Sequence, residues 1–331
     1  MLKKIIQEQK IIELLKIHYD IDIQVVHLFP GGADMNAFVY KADAKASSYF
    51  VKLKYGHYDE INLSITRLLH NSGINEIIFP VQTRERKLFQ QLTHFNIIVY
   101  PFIHAQNGFT QNLTEEQWKQ LGKMLRKVHG TSIPDLMQQQ LRKENYSNKW
   151  REMVKCFFSK IEPLSADDKI TREFKSFFKI NINKIHQLVD FAEVLSKKIQ
   201  PNFDKYVLCH SDIHAGNILI ASDESIYLID WDEPMLAPKE RDLMFIGGGI
   251  GNVWNKLQEV NYFYEGYGAT NIDEIILSYY RHERIVEDIA LYGQDLLAHD
   301  KKDQSRLELF KHFKAMFDQN GVVDVAFATV K

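Results

Sequence analysis

The segment 206–232 constrains the fold of this chain more than any other. Two short apolar runs, 218–221 and 225–229, are separated by a turn-forming Ser-Asp-Glu sequence. This arrangement predicts a β-hairpin. Because a hairpin brings its two open ends together, Asn217 and Asp230 should face each other, about 5 Å apart at Cα if they are directly paired.

The meeting of an amide and a carboxylate at one hairpin end predicts a magnesium site. Mg²⁺ prefers oxygen ligands, keeps several waters and is completed by nucleotide phosphates. Asp212 and Asn217 have the H-x-D-x-x-x-x-N spacing of a kinase catalytic loop, and Asp230 follows where another metal ligand is expected. Each residue alone is more often a turn former or a cap, but the ordered set predicts Asp212 as catalytic and Asn217 and Asp230 as metal ligands.

Composition places the chain among ordinary globular proteins. Its 331 residues are 45% hydrophobic and carry a formal net charge of −2, which favours two domains and gives no basic surface for nucleic acid. Charged residues interrupt the apolar positions of the first 18 residues, so an amphipathic helix is expected there and not a targeting or membrane segment. The distant cysteines Cys156 and Cys209 fit a reducing compartment. We expect a cytoplasmic monomer without nucleic-acid or membrane partners.

The pattern of the chain changes near residue 104. This change predicts an α+β fold with two lobes, a small β-rich lobe over 1–103 and a larger, mainly helical lobe over 104–331. The first lobe should contain strands at 24–29, 37–42, 48–53, 87–92 and 96–101 and a helix at 60–71. The second should contain helices at 115–129, opened by a capping box from Thr114 to Gln117, and at 182–199, 272–294 and 305–317.

The first lobe carries features expected of a nucleotide site. Gly31 and Gly32 lie in a turn between two strands, where backbone N–H groups can approach phosphate oxygens. Lys52 lies in the apolar third strand, where a kinase lysine contacts the α- and β-phosphates, and Glu60 is its expected partner. Lys54 shares the same face of the strand, and Lys52 is preferred because it follows the apolar triplet more directly.

The apolar strand that runs into Pro101 is predicted to be the hinge between the lobes. Adenine in a kinase site typically donates to one backbone carbonyl and accepts from an N–H two residues later. Since proline lacks an N–H, we expect Tyr100 to provide the carbonyl and Phe102 the amide, with Ile103 as the alternative donor.

Four motifs together resemble the aminoglycoside phosphotransferase family, which shares the bilobal fold of protein kinases. They are Gly31-Gly-Ala-Asp-Met-Asn-Ala-Phe38, Tyr49-Phe-Val-Lys-Leu-Lys54, His210-Ser-Asp-Ile-His-Ala-Gly-Asn217 and Ile229-Asp-Trp-Asp232. The resemblance spans most of the chain, and the stretches 230–242 and 279–288 look closest to the family members that phosphorylate spectinomycin. Ser211 stands where protein kinases usually carry arginine, so control by activation-loop phosphorylation is not expected.

By this resemblance the chain uses ATP and Mg²⁺ to phosphorylate a hydroxyl of an aminoglycoside or aminocyclitol antibiotic, with spectinomycin as the expected acceptor, and so confers resistance. Asp212 would orient the acceptor hydroxyl, while Asn217 and Asp230 hold the metal against the phosphates. Two alternatives stay open. One is a metabolic kinase acting on choline, homoserine or a sugar, and the other is a non-catalytic pseudokinase.

A cationic acceptor such as spectinomycin implies an acidic pocket. The residues expected to bind it are carboxylates and two aromatic residues that could form an apolar wall, namely Asp34, Trp231, Asp232, Tyr267, Glu283 and Glu287. Glu283 and Glu287 are four residues apart on a helical pattern, where like charges are unfavourable unless a cation lies between them. Core packing of the two aromatic residues and a solvated, arginine-flanked helix are the alternatives.

Overall fold

A computed structural model of the chain describes residues 7–29, 37–56, 58–161, 168–297 and 303–329. The strands are β1 (Ile23–Leu28), β2 (Ala37–Ala44), β3 (Ser48–Tyr55), β4 (Gln90–Gln91), β5 (Phe95–Pro101), β6 (Ala105–Asn107), β7 (Arg142–Lys143), β8 (Val207–Cys209), β9 (Ile218–Ala221), β10 (Ile226–Leu228) and β11 (Met235–Ala237). The helices are α1 (Glu8–Tyr19), α2 (Glu60–Asn71), α3 (Glu115–His129), α4 (Asp135–Gln140), α5 (Lys149–Lys160), α6 (Lys169–Ile180), α7 (Ile182–Lys198), α8 (Glu240–Leu243), α9 (Leu257–Tyr267), α10 (Glu274–Leu297), α11 (Asp303–Ala315) and α12 (Val322–Ala328). Among these helices, none combines the length and the apolar character that a membrane crossing requires.

The chain divides into two compact units. Unit 1 comprises the residues up to Asn107 together with 131–141 and 217–234, and unit 2 comprises 108–130, 142–216 and the residues from Met235 onward. A β-rich first part and a helical second part confirm the predicted α+β class. The chain returns to unit 1 twice after residue 107, and the second return carries the hairpin that the sequence pattern assigned to the later lobe.

A five-stranded antiparallel sheet in the order β1-β2-β3-β5-β4 forms the body of unit 1. Because side chains alternate between the faces of a strand, Val51 and Leu53 of β3 enter an apolar cluster that includes Ile11 and Leu15 of α1. Lys52 projects from the opposite face. The predicted strands 24–29, 37–42, 48–53 and 96–101 and the predicted helix 60–71 are confirmed within two residues at each end, because their alternating patterns are local.

One predicted strand is much shorter than expected. Of the segment 87–92, only Gln90 and Gln91 pair with β5. Leu88 instead enters a small apolar cluster with Tyr58 and Ile98. Burial of this side chain, and not strand pairing, accounts for the apolar character of the segment.

Unit 2 is built around long helices that share one apolar core. Side chains from α6, α7, α10 and α11 meet there, among them Phe174, Phe178, Ile185, Val286 and Phe313. The predicted helix 115–129 matches α3, whose capping box is present, with the Gln117 N–H 3.3 Å from the Thr114 hydroxyl. The predicted helices 182–199, 272–294 and 305–317 correspond to α7, α10 and α11. The sequence pattern did not predict α5, α6, α8, α9 or α12.

Helices α3 and α9 approach each other closely through two glycines. A Cβ atom on Gly122 would overlap the carbonyl oxygen of Phe263, and one on Gly266 would overlap the carbonyl oxygen of Lys119. The absence of side chains at these positions therefore sets the distance between the two helix backbones.

We predict that Gly266→Ala lowers the free energy of unfolding by about 1–3 kcal/mol because the added methyl group forces α3 and α9 apart. The higher helix propensity of alanine, about 1 kcal/mol, acts in the opposite direction. A net decrease in the free energy of unfolding would therefore be caused by the clash. Urea unfolding measures the change. Lys123→Ala, on the exposed side of α3, is the control and should stay within about 0.5 kcal/mol of the parent. Equal stability of the two variants would contradict the close approach.

Candidate active site

The two ends of the predicted hairpin meet in unit 1. Strands β9 and β10 pair in antiparallel register, with Leu228 opposite Ile218, and the Ile229 N–H donates to the Asn217 carbonyl at 3.0 Å. Ile229 therefore lies opposite Asn217, and Asp230 is the next residue along. The predicted direct pairing of Asn217 with Asp230 is thus displaced by one position, since the ladder fixes which residues face each other.

Asp230 lies just beyond the end of β10 and has a left-handed backbone, with φ of 66°. Such a conformation is uncommon outside glycine and is tolerated best by asparagine and aspartate. Its side chain is 47% exposed, whereas Asn217 is buried. A carboxylate and an amide at adjoining positions form an oxygen donor set of the kind that a hard divalent cation prefers.

Lys52 projects from β3 toward two carboxylates of the segment after β10. Its Nζ atom lies 2.7 Å from Asp232 Oδ2 and 3.3 Å from Asp230 Oδ1, and Lys54 Nζ lies 2.6 Å from the same Asp232 oxygen. Burial lowers the pKa of Lys52, but the charges of Asp230 and Asp232 outweigh burial and hold the pKa above its ordinary value. Lys52 is a fixed cation held beside Asp230.

The expected pairing of Lys52 with Glu60 is wrong in this structure. Glu60 is exposed and lines a surface cavity together with Lys87. Among the described residues, the ion pairs of Lys52 go to Asp230 and Asp232. These carboxylates lie far away in sequence, so no local pattern on β3 or α2 could indicate them.

The predicted hinge donor, Phe102, is also wrong. Its N–H already donates to the Ser48 carbonyl at 3.0 Å. Hydrogen-bonding groups alternate between the two sides of an antiparallel strand, so Tyr100, two residues earlier and opposite Phe50, also directs its backbone groups toward β3. The backbone groups of Tyr100 and Phe102 that face β3 are therefore not available to a ligand. The groups that the register favours belong to the residues one position later, Pro101 and Ile103.

The opposite side of β5 presents the odd-numbered residues. The Val99 carbonyl faces away from β3 and accepts a hydrogen bond from the Val81 N–H at 2.7 Å. By the same alternation the Pro101 carbonyl faces that side. If the extended backbone continues, the Ile103 N–H does as well. The alternative donor, Ile103, is therefore the one that the strand register favours, with Pro101 as the carbonyl.

In unit 2, the carboxylate of Asp212 is held by an arginine and a histidine. Arg284 Nη1 donates to Asp212 Oδ1 at 2.7 Å, and His214 Nε2 lies 3.5 Å from Asp212 Oδ2. Burial raises the pKa of Asp212, but the charge of Arg284 and the contact with His214 outweigh burial and hold the pKa well below its ordinary range. Asp212 is therefore an anion at neutral pH, which makes it a good hydrogen-bond acceptor and a weak base.

The backbone of the Asp212 loop is anchored by a fully buried carboxylate, that of Asp242 in α8. Its two oxygens accept from the N–H groups of His210, at 2.9 Å, and Ser211, at 2.7 Å, and His129 Nε2 lies 3.1 Å away. His210 in turn accepts from the Asp212 N–H at 3.2 Å through Nδ1. His210 thus braces the loop through this hydrogen bond.

The sequence pattern pointed to neither Asp242 nor Arg284 as a functional residue. A signal exists for Asp242, because this carboxylate precedes the apolar run Leu243-Met-Phe-Ile246. A charged side chain in a buried segment requires a partner. Arg284 carries no comparable local signal, since arginine is common on charged helices.

Both aromatic residues expected at the acceptor site lie in the core. Trp231 is 4% exposed and its Nε1 donates to the Leu228 carbonyl. Tyr267 is 2% exposed, and its hydroxyl lies 2.7 Å from His129 Nδ1. The structure corrects the expectation of an apolar wall, because neither ring presents a face to a ligand.

The acidic candidates differ in what surrounds them. The Asp232 carboxylate is engaged by Lys52 and Lys54, and Glu283 is buried against Arg151 of α5. The cation expected beside Glu283 is therefore part of the protein. Glu287 is half-buried and makes no hydrogen bond or ion pair to any residue that the structure describes.

Three expected site residues lie outside the described part of the chain. They are Gly31, Gly32 and Asp34, all in the segment between β1 and β2. Their predicted roles at the phosphates and the acceptor stay predictions.

A protein-family model and several solved structures match this chain. A model of the phosphotransferase enzyme family matches residues 27–271. The chain is similar to the crystal structure of spectinomycin phosphotransferase, APH(9)-Ia, in complex with ADP and spectinomycin, with 69% sequence identity, a TM-score of 0.95, and coverage of 98% of this chain and 99% of that one. The AMP-bound complex of spectinomycin phosphotransferase gives 67% identity, a TM-score of 0.91, and coverage of 99% and 100%. An amicoumacin kinase, at 17% identity, a TM-score of 0.65, and coverage of 96% and 95%, shares the fold.

We predict that Glu283 makes the stability of the protein depend on pH near neutrality. Burial raises its pKa to about 7, although the charge of Arg151 lowers it. The folded state therefore binds this proton more tightly than the unfolded state, so lowering the pH from 8 to 5 should stabilise the fold by about 1–3 kcal/mol. Glu283→Gln should reduce that gain in thermal unfolding series across this range, and a smaller gain from Asp288, whose pKa burial raises to about 6, should remain. An unchanged pH dependence in the variant would contradict the assignment.

Proposed function

Because this chain belongs to the phosphotransferase enzyme family, we propose that it transfers the γ-phosphoryl group of ATP to a hydroxyl of spectinomycin and so confers resistance to this antibiotic. Similarity to a spectinomycin phosphotransferase over nearly the whole length of both chains supports the choice of acceptor. The observation that carries the chemistry is the anionic Asp212, which is held by Arg284 within hydrogen-bonding distance.

In the proposed reaction the acceptor oxygen forms a bond to the γ-phosphorus while the bond from that phosphorus to the bridging oxygen breaks. ADP leaves with the electron pair, and the hydroxyl proton passes to Asp212. Transition states of this kind are loose, so positioning and charge stabilisation supply most of the catalysis. The low pKa of Asp212 fits a residue that orients the hydroxyl first and takes its proton late.

The nucleotide would be bound by groups of unit 1. Lys52, held by Asp230 and Asp232, would contact the α- and β-phosphates as a fixed cation. The carbonyl of Pro101, on the side of β5 that is not paired with β3, and the N–H of Ile103, two residues later, would bind adenine. Backbone N–H groups of the segment that contains Gly31 and Gly32 would contact the phosphates.

The metal proposed for this reaction is Mg²⁺, with Asn217 and Asp230 as its protein ligands. The donor set fits, because both side chains offer oxygen and the Asp230 carboxylate is about half exposed. Mg²⁺ usually takes only one or two carboxylates from the protein and completes its shell with phosphates and water. When bound, the ion would neutralise charge on the phosphates.

The acceptor is cationic, so an available carboxylate is the natural contact for its amino groups. Glu287 is the best candidate, because Glu283 and Asp232 already pair with cationic side chains of the protein. Asp34, which belongs to unit 1, is a second candidate.

We predict that Asp212→Ala abolishes spectinomycin-dependent ADP formation while the affinity for ATP changes by less than about threefold, since Asp212 acts on the hydroxyl and not on the nucleotide. Coupled-enzyme assays and calorimetry measure the two quantities. The parent chain is tested in parallel with spectinomycin, choline, homoserine and a sugar. Turnover with another acceptor would replace the proposed substrate, and no turnover with any acceptor would favour a pseudokinase. Near-normal turnover of the variant would remove Asp212 from the catalytic role.

We predict that Glu287→Gln raises the KM for spectinomycin about tenfold, the loss expected for one charge-assisted contact at a partly exposed site. The KM for ATP should stay unchanged, because the carboxylate belongs to the acceptor site. Glu274→Gln, at an exposed position of the same helix, is the control for the loss of one negative charge. Equal KM values for the two variants would show that Glu287 does not contact the acceptor.

A further inference from the structure

Arg284 connects the carboxylate of Asp212 to a second carboxylate on its own helix. Its Nη1 atom donates to Asp212 Oδ1 at 2.7 Å, and its Nε atom donates to Asp288 Oδ1 at 3.1 Å. All three residues belong to unit 2. The guanidinium also lies over the ring of Phe245, 5.7 Å from its centroid. Arg284 is therefore held by two carboxylates and by the ring of Phe245.

The contact of Arg284 with Asp212 restricts rotation of the Asp212 side chain, which the anchoring of the loop backbone does not restrict. Asp242 holds the main chain at His210 and Ser211, but rotation about the side-chain bonds of Asp212 could still turn its carboxylate. Each oxygen of the carboxylate has its own contact, Oδ1 with Arg284 Nη1 at 2.7 Å and Oδ2 with His214 Nε2 at 3.5 Å. Together these two contacts restrict the rotation of the carboxylate.

A buried arginine can also be merely structural, and the same helix offers one for comparison. Arg281 donates to the backbone carbonyls of Met244, at 3.3 Å, and Ile246, at 2.9 Å. In the part of the chain that the structure describes, it forms no ion pair with a carboxylate. The two arginines are three residues apart and both are largely buried, but only Arg284 contacts Asp212.

We infer that Arg284 is a positioning residue for phosphoryl transfer, which orients the Asp212 carboxylate toward the acceptor hydroxyl while Asp288 orients Arg284. The inference rests on the proposed function, in which the hydroxyl proton passes to Asp212 as the acceptor oxygen bonds to phosphorus and ADP leaves. Misplacement of a catalytic group by about 1 Å can cost about a hundredfold in rate. Loss of the guanidinium should therefore reduce kcat and not nucleotide binding.

The kinetic test compares Arg284→Ala with Arg281→Ala. The first variant should lose about 10- to 100-fold in kcat with an unchanged KM for ATP. Added guanidinium chloride at millimolar concentrations should restore part of its kcat, and Arg284→Lys should retain more activity than Arg284→Ala. Guanidinium should not raise the activity of Arg281→Ala, whose loss, if any, follows its thermal stability.

A second readout does not depend on turnover. In protein labelled with ¹³C at the aspartate carboxyl groups, the Asp212 signal is identified by its absence from Asp212→Asn. The titration midpoint of this signal should rise in Arg284→Ala and stay low in Arg281→Ala, since His214, His210 and Asp288 remain in both variants. If the parent chain shows no acceptor-dependent turnover, the proposed function is contradicted. Two results would contradict the role of Arg284 without contradicting the proposed function. They are a kcat of Arg284→Ala within about twofold of an active parent, and an Asp212 titration midpoint that does not shift.

Discussion

The antiparallel register of β9 and β10 is the constraint on which the arrangement of Lys52, Asn217 and Asp230 in unit 1 depends. Once Leu228 is paired with Ile218, the Ile229 N–H meets the Asn217 carbonyl and Asp230 follows directly. A slip of one residue would turn every side chain of the strand to the other face. The same register brings Asp230 and Asp232 to the buried Lys52, so one hairpin sets both the oxygen donors and the fixed cation.

The backbone and the side chain of the Asp212 loop are held by two different residues. Asp242 accepts from two consecutive N–H groups of the loop, while Arg284 holds the carboxylate of Asp212. Buried charges of this kind are costly unless they are fully paired. The left-handed φ of 72° at Ser211 belongs to the same tight geometry, since uncommon backbone conformations persist only where the surroundings impose them.

Local patterns were sufficient for much of this description. The alternation in β1, β2, β3 and β5, the hairpin, the capping box of α3 and the spacing of Asp212, Asn217 and Asp230 depend on neighbouring residues, and so sequence could predict them. The partners of Lys52 could not be predicted in this way, because they lie about 180 residues away in the chain. The hinge pair was displaced by one position because the partner strand, and not the proline, decides which groups of β5 stay unpaired. The burial of Trp231 and Tyr267 depends on packing between distant segments, so local sequence patterns do not distinguish them from binding residues.

In the proposed function, the end of the β9–β10 hairpin binds a divalent cation through Asn217 and Asp230. Crystals grown with a non-hydrolysable ATP analogue and Mn²⁺, measured for anomalous scattering, would test it most directly. We expect an anomalous peak about 2.0–2.3 Å from a side-chain oxygen of Asn217 and from one of Asp230. A nucleotide-bound structure whose manganese has no ligand from either residue would contradict it.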